Sequence, residues 1–325
     1  MTDATSPVSS RAIPEGGVVL SGRVLARIGG PGADKFVQGQ FSQHVDDITE
    51  TQSRRAAACT PKGRAYCLTR FARVDGDLVL ELDEALADAA LTQLNKYLML
   101  FRGTTMTRLE QAQVVGLMGE DAARSVAGSA ADELTTTGQV LALPGGILIR
   151  LEPTADEQPR YQWWQLNDPQ PLPADLPAIT EQDWALSEIA AGVPNLTPET
   201  VEAYVPQMLN LQHLQGVHFK KGCYTGQEVI ARMHFLGQLK KSLFRLAFTG
   251  AQPAPGTRIL AGDKTVGEVV NAALSDSDGG QCLAVLRHDS ATATLALETA
   301  PDTVLTVLPM PYAVPEQTRE DSADT

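Results

Sequence analysis

One short segment of the sequence concentrates residues that could perform thiol chemistry. Residues 220–228 read Lys-Lys-Gly-Cys-Tyr-Thr-Gly-Gln-Glu. Thr225 and Glu228 have the spacing of a capping box, which predicts that Thr225 is the N-cap of a helix. Cys223 would then lie beside the unpaired N–H groups and the positive end of the helix dipole, with two lysines before it. This setting favours a thiolate or a bound anion, so we predict that Cys223 is a functional thiol.

The charge distribution supports an anion site at the same segment. The chain has 39 acidic and 26 basic residues and a formal net charge of −13. Between residues 213 and 245, however, Glu228 is the one acidic residue among six basic ones, which are Lys220, Lys221, Arg232, Lys240, Lys241 and Arg245. A basic island in an acidic chain predicts a local anion site and not an extended nucleic-acid surface.

Length and composition indicate a globular protein with two or three hydrophobic cores, since 43% of the 325 residues are hydrophobic. No apolar run approaches the ~20 residues of a membrane-spanning helix, and residues 1–10 lack the pattern of a signal peptide. We therefore expect a cytoplasmic protein with no membrane partner.

The four cysteines predict no self-contained metal site. Cys59, Cys67, Cys223 and Cys282 are scattered and form no CxxC pair, so neither a disulfide framework nor a zinc or iron–sulfur site is encoded. A cluster would need ligands from a partner, with Cys223 as a transient ligand. The alternative for Cys223 is a small buried hydrophobe at the start of a helix.

The apolar pattern predicts an α+β chain that ends in a β-domain. Helical spacing recurs over residues 32–45, 86–101 and 121–130, and residues 56–82 predict a β-meander. Thr197 followed by a proline predicts the start of another helix. Further strands are predicted in these segments: 139–151, 161–166, 184–189, 243–248, 257–260, 265–274, 281–286 and 304–307. The short strands after residue 241 predict a small closed barrel.

These segments together resemble the YgfZ family, whose members are relatives of the glycine-cleavage T-protein, the folate-dependent aminomethyltransferase. The nine-residue motif at 220–228 is highly specific for the family. Five further segments match family markers and extend the resemblance over residues 24–312: 33–40, 61–64, 94–97, 206–211 and 308–312.

The resemblance implies a T-protein-like ring of two interleaved α+β modules, followed by a small C-terminal β-barrel, around a central folate-binding hollow. It divides the chain into four parts. These are a loose N-terminus at 1–13, a T-protein-like folate-binding module at 14–240, the barrel at 241–312 and an acidic tail at 313–325.

The cofactor that the resemblance implies is tetrahydrofolate or a derivative of it. Trp184 matches a family tryptophan attributed to folate binding, although an ordinary partly buried aromatic would also fit the sequence. The corresponding early tryptophan is absent, and a residue near Arg23 takes its place. The folate-binding set implied by the match is Trp184, Lys220, Lys221, Gln207, Asn210, Gln227 and Arg232. The folate glutamate tail is expected near the two lysines.

The sequence departs from the T-protein enzymes at positions that carry their chemistry. Tyr66 and Cys67 stand where the enzymes have a carboxylate pair, and the folate-contacting glutamate falls at Ala190, with Glu188 two residues earlier. Neither Tyr66 nor Cys67 is negatively charged at neutral pH without a strong perturbation. A classical aminomethyltransferase is therefore not expected.

Three hypotheses about function follow. The first is a folate-binding accessory factor for assembly or repair of iron–sulfur enzymes, including tRNA-modifying ones, in which Cys223 is a ligand, a nucleophile or a redox group. Its partners would be iron–sulfur clients or cluster-assembly proteins, without direct contact to nucleic acid. The second is a folate-dependent one-carbon transferase or demethylase, and the third is a non-catalytic interaction module. The first is favoured.

Overall fold

The structure is a computed structural model that describes residues 12–237, 239–276 and 278–314. The N-terminal residues 1–11 and the end of the acidic tail, residues 315–325, lie outside the described residues. Within the described part, two five-stranded sheets precede a closed six-stranded barrel. None of the described helices is long and apolar enough to cross a bilayer.

Among the described residues, the part from 12 to 190 contains ten strands and four α-helices. The strands are β1 (Gly16–Val19), β2 (Arg23–Gly29), β3 (Arg54–Cys59), β4 (Ala65–Val74), β5 (Asp77–Asp83), β6 (Thr105–Arg108), β7 (Gln113–Met118), β8 (Val140–Leu143), β9 (Gly146–Arg150) and β10 (Arg160–Gln165). The helices are α1 (Ala33–Gln40), α2 (Glu84–Leu98), α3 (Glu120–Ala127) and α4 (Glu181–Ala190).

These elements form two interleaved modules, as predicted. One sheet has the strand order β3-β4-β5-β2-β6, and the other has the order β1-β7-β10-β9-β8. The chain starts in the second sheet with β1, builds the whole first sheet, and returns to pair β7 with β1. The two sheets therefore cannot be separated by cutting the chain once.

Regular periodicity explains the elements that the sequence predicted well. The α2 helix buries one stripe of apolar side chains against the first sheet, namely Ala87, Ala90, Leu94 and Leu98. The side chain of Asp83 caps its N-terminus by accepting a hydrogen bond from the N–H of Ala85 at 3.0 Å. The strands β3, β4 and β5 form the predicted meander, and tight turns connect them.

The C-terminal part is the predicted closed barrel. Its strands are β11 (Lys241–Thr249), β12 (Arg258–Ala261), β13 (Lys264–Asp276), β14 (Gly279–Arg287), β15 (Leu295–Leu297) and β16 (Ala300–Leu308). They close in the order β11-β14-β13-β12-β15-β16. The short strand β15 was not predicted, because three residues are too few to show an alternating pattern.

Two sequence predictions on the way to the site were wrong. Residues 184–189 belong to the helix α4 and not to a strand, and Thr180 with Asp183 forms its capping box. The helix is buried on almost all sides, so it shows no apolar stripe that would reveal its period. The segment after Thr197 forms turns and no helix, and the N–H of Thr197 donates to the hydroxyl of Thr200.

Candidate functional site

The cysteine motif forms a loop that leads into the helix α5 (Gln227–Phe235). The N-cap of α5 is Gly226, which has a φ of 85° and provides no side-chain cap. The prediction that Thr225 caps the helix was therefore wrong. Gly226 makes the left-handed turn into the helix. Thr225 lies one residue earlier, and its backbone N–H donates to the carbonyl oxygen of Gly39 at 3.1 Å.

Lys221 anchors this loop to the end of α1. Its side chain is buried, and Nζ donates to the carbonyl oxygens of Gln38 at 2.8 Å, Phe41 at 2.6 Å and Gln43 at 2.7 Å. Nζ also lies 4.8 Å from the ring centroid of Tyr224. Because the three N–H bonds of the ammonium are all used inside the protein, the structure contradicts the expectation that Lys221 binds an anionic ligand.

Burial lowers the pKa of Lys221 to about 7. The three carbonyl contacts oppose this shift, since they stabilise the charged form of the amine. The amine of Lys221, which is a cation below about pH 7, is thus tied to backbone carbonyl groups at and beyond the last turn of a helix.

A second anchor joins the loop to the turn between β3 and β4. A Cβ atom placed on Gly226 would lie 2.6 Å from the carbonyl oxygen of Thr60, and one placed on Gly63 would lie 2.9 Å from Cβ of Val229. The backbone of the turn and the start of α5 thus approach too closely for side chains between them. Together with Lys221, this contact fixes the position of the loop.

The loop presents Cys223 to solvent. All four cysteines lie within the described residues, and Cys223 is exposed while Cys59, Cys67 and Cys282 are buried. Burial raises the pKa of Cys67 to about 12 and that of Cys282 to about 12, and it also raises the pKa of Cys59. The three buried cysteines lie in β3, β4 and β14. Cys223 is thus the one thiol that an external reactant can reach directly.

Three other predicted ligand residues lie on this loop and helix. Lys220 and Arg232 are not buried, and Nε2 of Gln227 is 3.4 Å from the carbonyl oxygen of Lys221. The rings of Phe219 and His234 stack with centroids 3.6 Å apart, which places the segment before the cysteine alongside α5. Lys220 on the cysteine loop and Arg232 on α5 therefore remain accessible to solvent as cations.

Gln207 and Asn210 are fully buried and hold the loop region to its surroundings. Nε2 of Gln207 donates to the carbonyl oxygen of Ile230 at 2.7 Å. Nδ2 of Asn210 donates to the carbonyl oxygen of Leu243 at 2.9 Å, so it ties this segment to β11. These amide nitrogens are used in backbone contacts, which differs from the ligand-binding role that the resemblance implied.

Trp184 does not offer an open face to a pterin. The side chain is 3% exposed, and the guanidinium carbon of Arg160 lies 4.6 Å from the ring centroid. A Cβ atom placed on Gly116 would lie 2.4 Å from Cε3 of the indole, so the sheet backbone also contacts this ring. The tryptophan is packed in the core and not arranged as a stacking platform.

Near Arg23, where the family's early tryptophan is missing, an ion pair fills the space. Nη2 of Arg23 lies 3.0 Å from Oε1 of Glu188 and 2.8 Å from Oδ1 of Asn195. The cavity that Arg23, Asn195 and Cys67 help to line has a volume of about 20 Å³, which is enough for a water molecule. Pockets for small molecules usually measure about 300–1,000 Å³. This cavity is therefore too small for a folate.

The positions that replace the enzymes' carboxylates are also unsuited to proton transfer. Tyr66 and Cys67 are buried in β4, and burial raises the pKa of both side chains. Both groups are therefore neutral at physiological pH and supply no negative charge.

Sequence patterns did not point to a buried ionic network between the two sheets. Glu152 accepts hydrogen bonds from Nε and Nη2 of Arg55, both at 2.9 Å, and from Nη2 of Arg70 at 2.6 Å. Burial acts to raise the pKa of Glu152, but the two arginines outweigh it and hold the pKa well below its usual range. The available signal was the presence of arginines inside otherwise apolar strands.

Comparison with solved structures identifies the fold. The glycine cleavage system aminomethyltransferase T from Bartonella henselae superposes with a TM-score of 0.74, at 16% sequence identity, over 91% of this chain and 85% of that chain. At this identity the likeness shows the fold alone. Residues 240–311 match the family described as CAF17, C-terminal beta-barrel domain.

Comparison with curated proteins identifies the family. The tRNA-modifying protein YgfZ from Colwellia psychrerythraea is 30% identical over 88% of this chain and 90% of that protein. The protein of the same name from Enterobacter sp. is 30% identical over 95% of this chain and 97% of that protein, and the one from Klebsiella pneumoniae is 29% identical over 95% and 96%. The predicted family and the predicted T-protein-like fold are both confirmed, and the chain belongs to the YgfZ family.

Proposed function

We propose that this protein is an accessory factor that supports the assembly or repair of iron–sulfur enzymes, including enzymes that modify tRNA, and that Cys223 is its functional thiol. The observation that carries the proposal is the presentation of Cys223. Its loop is anchored at α1 and at the turn after β3, and its thiol is exposed while the other three thiols are buried. The relatives' shared name, tRNA-modifying protein, supports a link to tRNA modification.

The surroundings of Cys223 differ from those of a cysteine that has only a packing role. A cysteine that only filled space would be buried, as the other three are. Here the protein instead buries Lys221, which is two residues away, and leaves Cys223 exposed. The loop is thus held from inside while Cys223 is open to solvent, where we propose that a partner reaches it.

A single thiol limits the chemistry that the site can perform alone. An iron–sulfur cluster is usually held by four protein ligands. Cys223 would supply one of them, and the client or assembly partner would supply the rest. As a thiolate, Cys223 can also attack a partner's disulfide and release one of its two sulfurs as a thiol, or take the outer sulfur of a partner's persulfide and release that partner's thiolate. Both routes require Sγ of Cys223.

Folate lies outside the mechanism proposed here. The resemblance implies tetrahydrofolate as a cofactor, but Trp184 is covered and the ion pair of Arg23 and Glu188 fills the neighbouring space. A folate-dependent one-carbon enzyme is disfavoured for the same reason and because Tyr66 and Cys67 are neutral. We place the effect on tRNA with the client enzyme and propose no direct contact between this protein and tRNA.

The test uses cells that lack the gene and express the wild type, Cys223→Ala or Cys282→Ala at equal levels. Activities of several iron–sulfur enzymes and of one enzyme without a cluster are measured in lysates. We expect the wild type and Cys282→Ala to restore the iron–sulfur activities and Cys223→Ala to fail, with the other enzyme unchanged. Cys282 is a matched control because it is a buried thiol in the barrel. Equal restoration by Cys223→Ala would remove the proposal.

A further inference from the structure

A cavity of about 140 Å³ lies next to the buried ionic network. Ten residues line it, namely Ser53, Arg54, Arg55, Arg70, Thr137, Gly138, Glu152, His213, Leu214 and Gln215. We call it the arginine cavity, because three of these residues are arginines and one is an acid. None of its lining residues belongs to the loop that carries Cys223.

Two of the arginines face each other across adjacent strands. Arg55 in β3 is the direct partner of Arg70 in β4 in the antiparallel register. Like charges directly opposite each other destabilise a sheet unless an anion lies between them. Glu152 supplies one carboxylate, which both guanidinium groups already share.

The lining of the cavity carries more positive than negative charge. Its three arginines, Arg54, Arg55 and Arg70, are set against the single carboxylate of Glu152. Burial lowers the pKa of His213, so this lining residue is neutral at pH 7 and does not change the balance. The excess is positive although the whole chain has a net charge of −13. Of the three arginines, Arg70 is buried, so positive charge there that Glu152 does not balance is costly, and a bound anion would offset it.

Hydrogen-bond donors in the network are also in excess. Nη1 of Arg70 donates to Oγ of Ser53 at 3.0 Å and Nη2 donates to Glu152, but Nε of Arg70 has no partner among the described residues. Arg70 is 2% exposed and lines the cavity. A buried donor without an acceptor is rare, and a bound anion or an ordered water would supply the acceptor.

The size and lining of the cavity define the class of ligand. Its volume lies well below the ~300 Å³ at which pockets for drug-sized molecules begin, so a compact ion fits better than an extended molecule. The hydroxyl groups of Ser53 and Thr137 add polar contacts beside the guanidinium groups. Planar guanidinium groups match the oxygen atoms of phosphate and carboxylate.

From these observations we propose that the arginine cavity binds a compact oxyanion, either a phosphate or a carboxylate group, through Arg55 and Arg70. The proposal does not depend on the role of Cys223. Its test uses purified protein and no iron–sulfur enzyme, so the two proposals fail independently.

The experiment titrates the full-length protein with sodium phosphate and, separately, with sodium malonate, at constant ionic strength set by sodium chloride. Melting temperature and calorimetric heat are measured for the wild type, Arg55→Met and Arg258→Met. Arg258 is a suitable control because it is an exposed barrel arginine paired with Glu298 at 3.5 Å. We expect saturable binding with one site per chain, unchanged in Arg258→Met and weakened at least about tenfold in Arg55→Met.

The result also tells which group the cavity takes. Binding of phosphate without malonate assigns a phosphate ligand, and the reverse assigns a carboxylate. If Arg55→Met does not fold, Arg55→Lys, which keeps the charge but loses the planar pair of donors, should weaken the binding. The proposal is overturned if neither anion stabilises the protein more than chloride, or if a folded cavity variant keeps the wild-type affinity.

Discussion

Replacing Lys221 by methionine should loosen the cysteine loop and destabilise the protein. The ammonium group of Lys221 donates to three carbonyl oxygens, those of Gln38, Phe41 and Gln43, at 2.6–2.8 Å. Methionine fills a similar volume but donates no hydrogen bond. The substitution therefore removes the tie between the loop and the end of α1 while leaving the apolar packing of the side chain largely intact.

The magnitude follows from two opposing effects. A hydrogen bond from a charged donor contributes about 1.5–3 kcal/mol, and three are lost here. Against this, the variant no longer buries an ammonium group, whose desolvation costs several kcal/mol. We expect the free energy of unfolding to fall by about 3 kcal/mol at pH 9, where the amine is neutral and no ammonium is buried, because the buried carbonyl groups lose their donor.

The pH dependence of this difference has a definite sign. Burial lowers the pKa of Lys221 to about 7 in the folded protein, whereas a lysine in an unfolded chain has a pKa of about 10.4. Between these values the unfolded chain binds more protons, so the contribution of Lys221 to stability rises with pH. The wild type should gain stability relative to Lys221→Met between pH 7 and 9, by at most about 2.7 kcal/mol.

Urea unfolding at pH 7 and pH 9 measures both effects. Lys220→Met is the matched control, because Lys220 is the exposed neighbour in the same loop. Its stability should stay within about 0.5 kcal/mol of the wild type. Equal stabilities of the two variants would refute the anchoring role, and a difference that shrinks as pH rises would refute the assigned shift of the pKa.

Three further predictions concern the thiols, the loop glycines and folate. Iodoacetamide at neutral pH should modify Cys223 well before Cys59, Cys67 and Cys282, which are buried, and peptide mass spectrometry would contradict this if a buried thiol reacted as fast. Gly226→Ala should lower the free energy of unfolding by about 2 kcal/mol, because Gly226 has a φ of 85° and lies against Thr60. Gly222→Ala is the control, because its added methyl group would have no atom within 4 Å, and its free energy of unfolding should be unchanged in the same assay. Tetrahydrofolate should leave the tryptophan fluorescence unchanged, since Trp184 is buried beneath Arg160, and a saturable quench would show that the hollow opens.

The sequence predicted those helices and strands whose hydrophobic residues recur with a regular period along the chain. The meander of β3 to β5, the helix α2 and most strands of the barrel alternate or repeat in a regular way, and they were found where predicted. The helix α4 was mistaken for a strand because it is buried on nearly every side and so lacks a polar face. Its capping box at Thr180 and Asp183 was a local signal for a helix that the strand prediction overlooked.

The site was only partly predictable for a different reason. The exposure of Cys223 agrees with a functional thiol, and its motif was evident from the sequence. The roles of Lys221 and Arg70 depend on partners far along the chain, since Lys221 reaches Phe41 and Arg70 reaches Glu152. A local pattern of charges shows that a lysine is present, but it does not show whether its ammonium group faces a ligand or the backbone.

The most direct test of the central claim is the amount of one modified tRNA nucleoside that an iron–sulfur enzyme produces. Cells lacking the gene would express the wild type or Cys223→Ala at equal levels, with the folded state of each checked by its melting temperature. We predict that the wild type restores the nucleoside and that Cys223→Ala leaves it at the level of cells with no protein. Full restoration by Cys223→Ala would contradict the account.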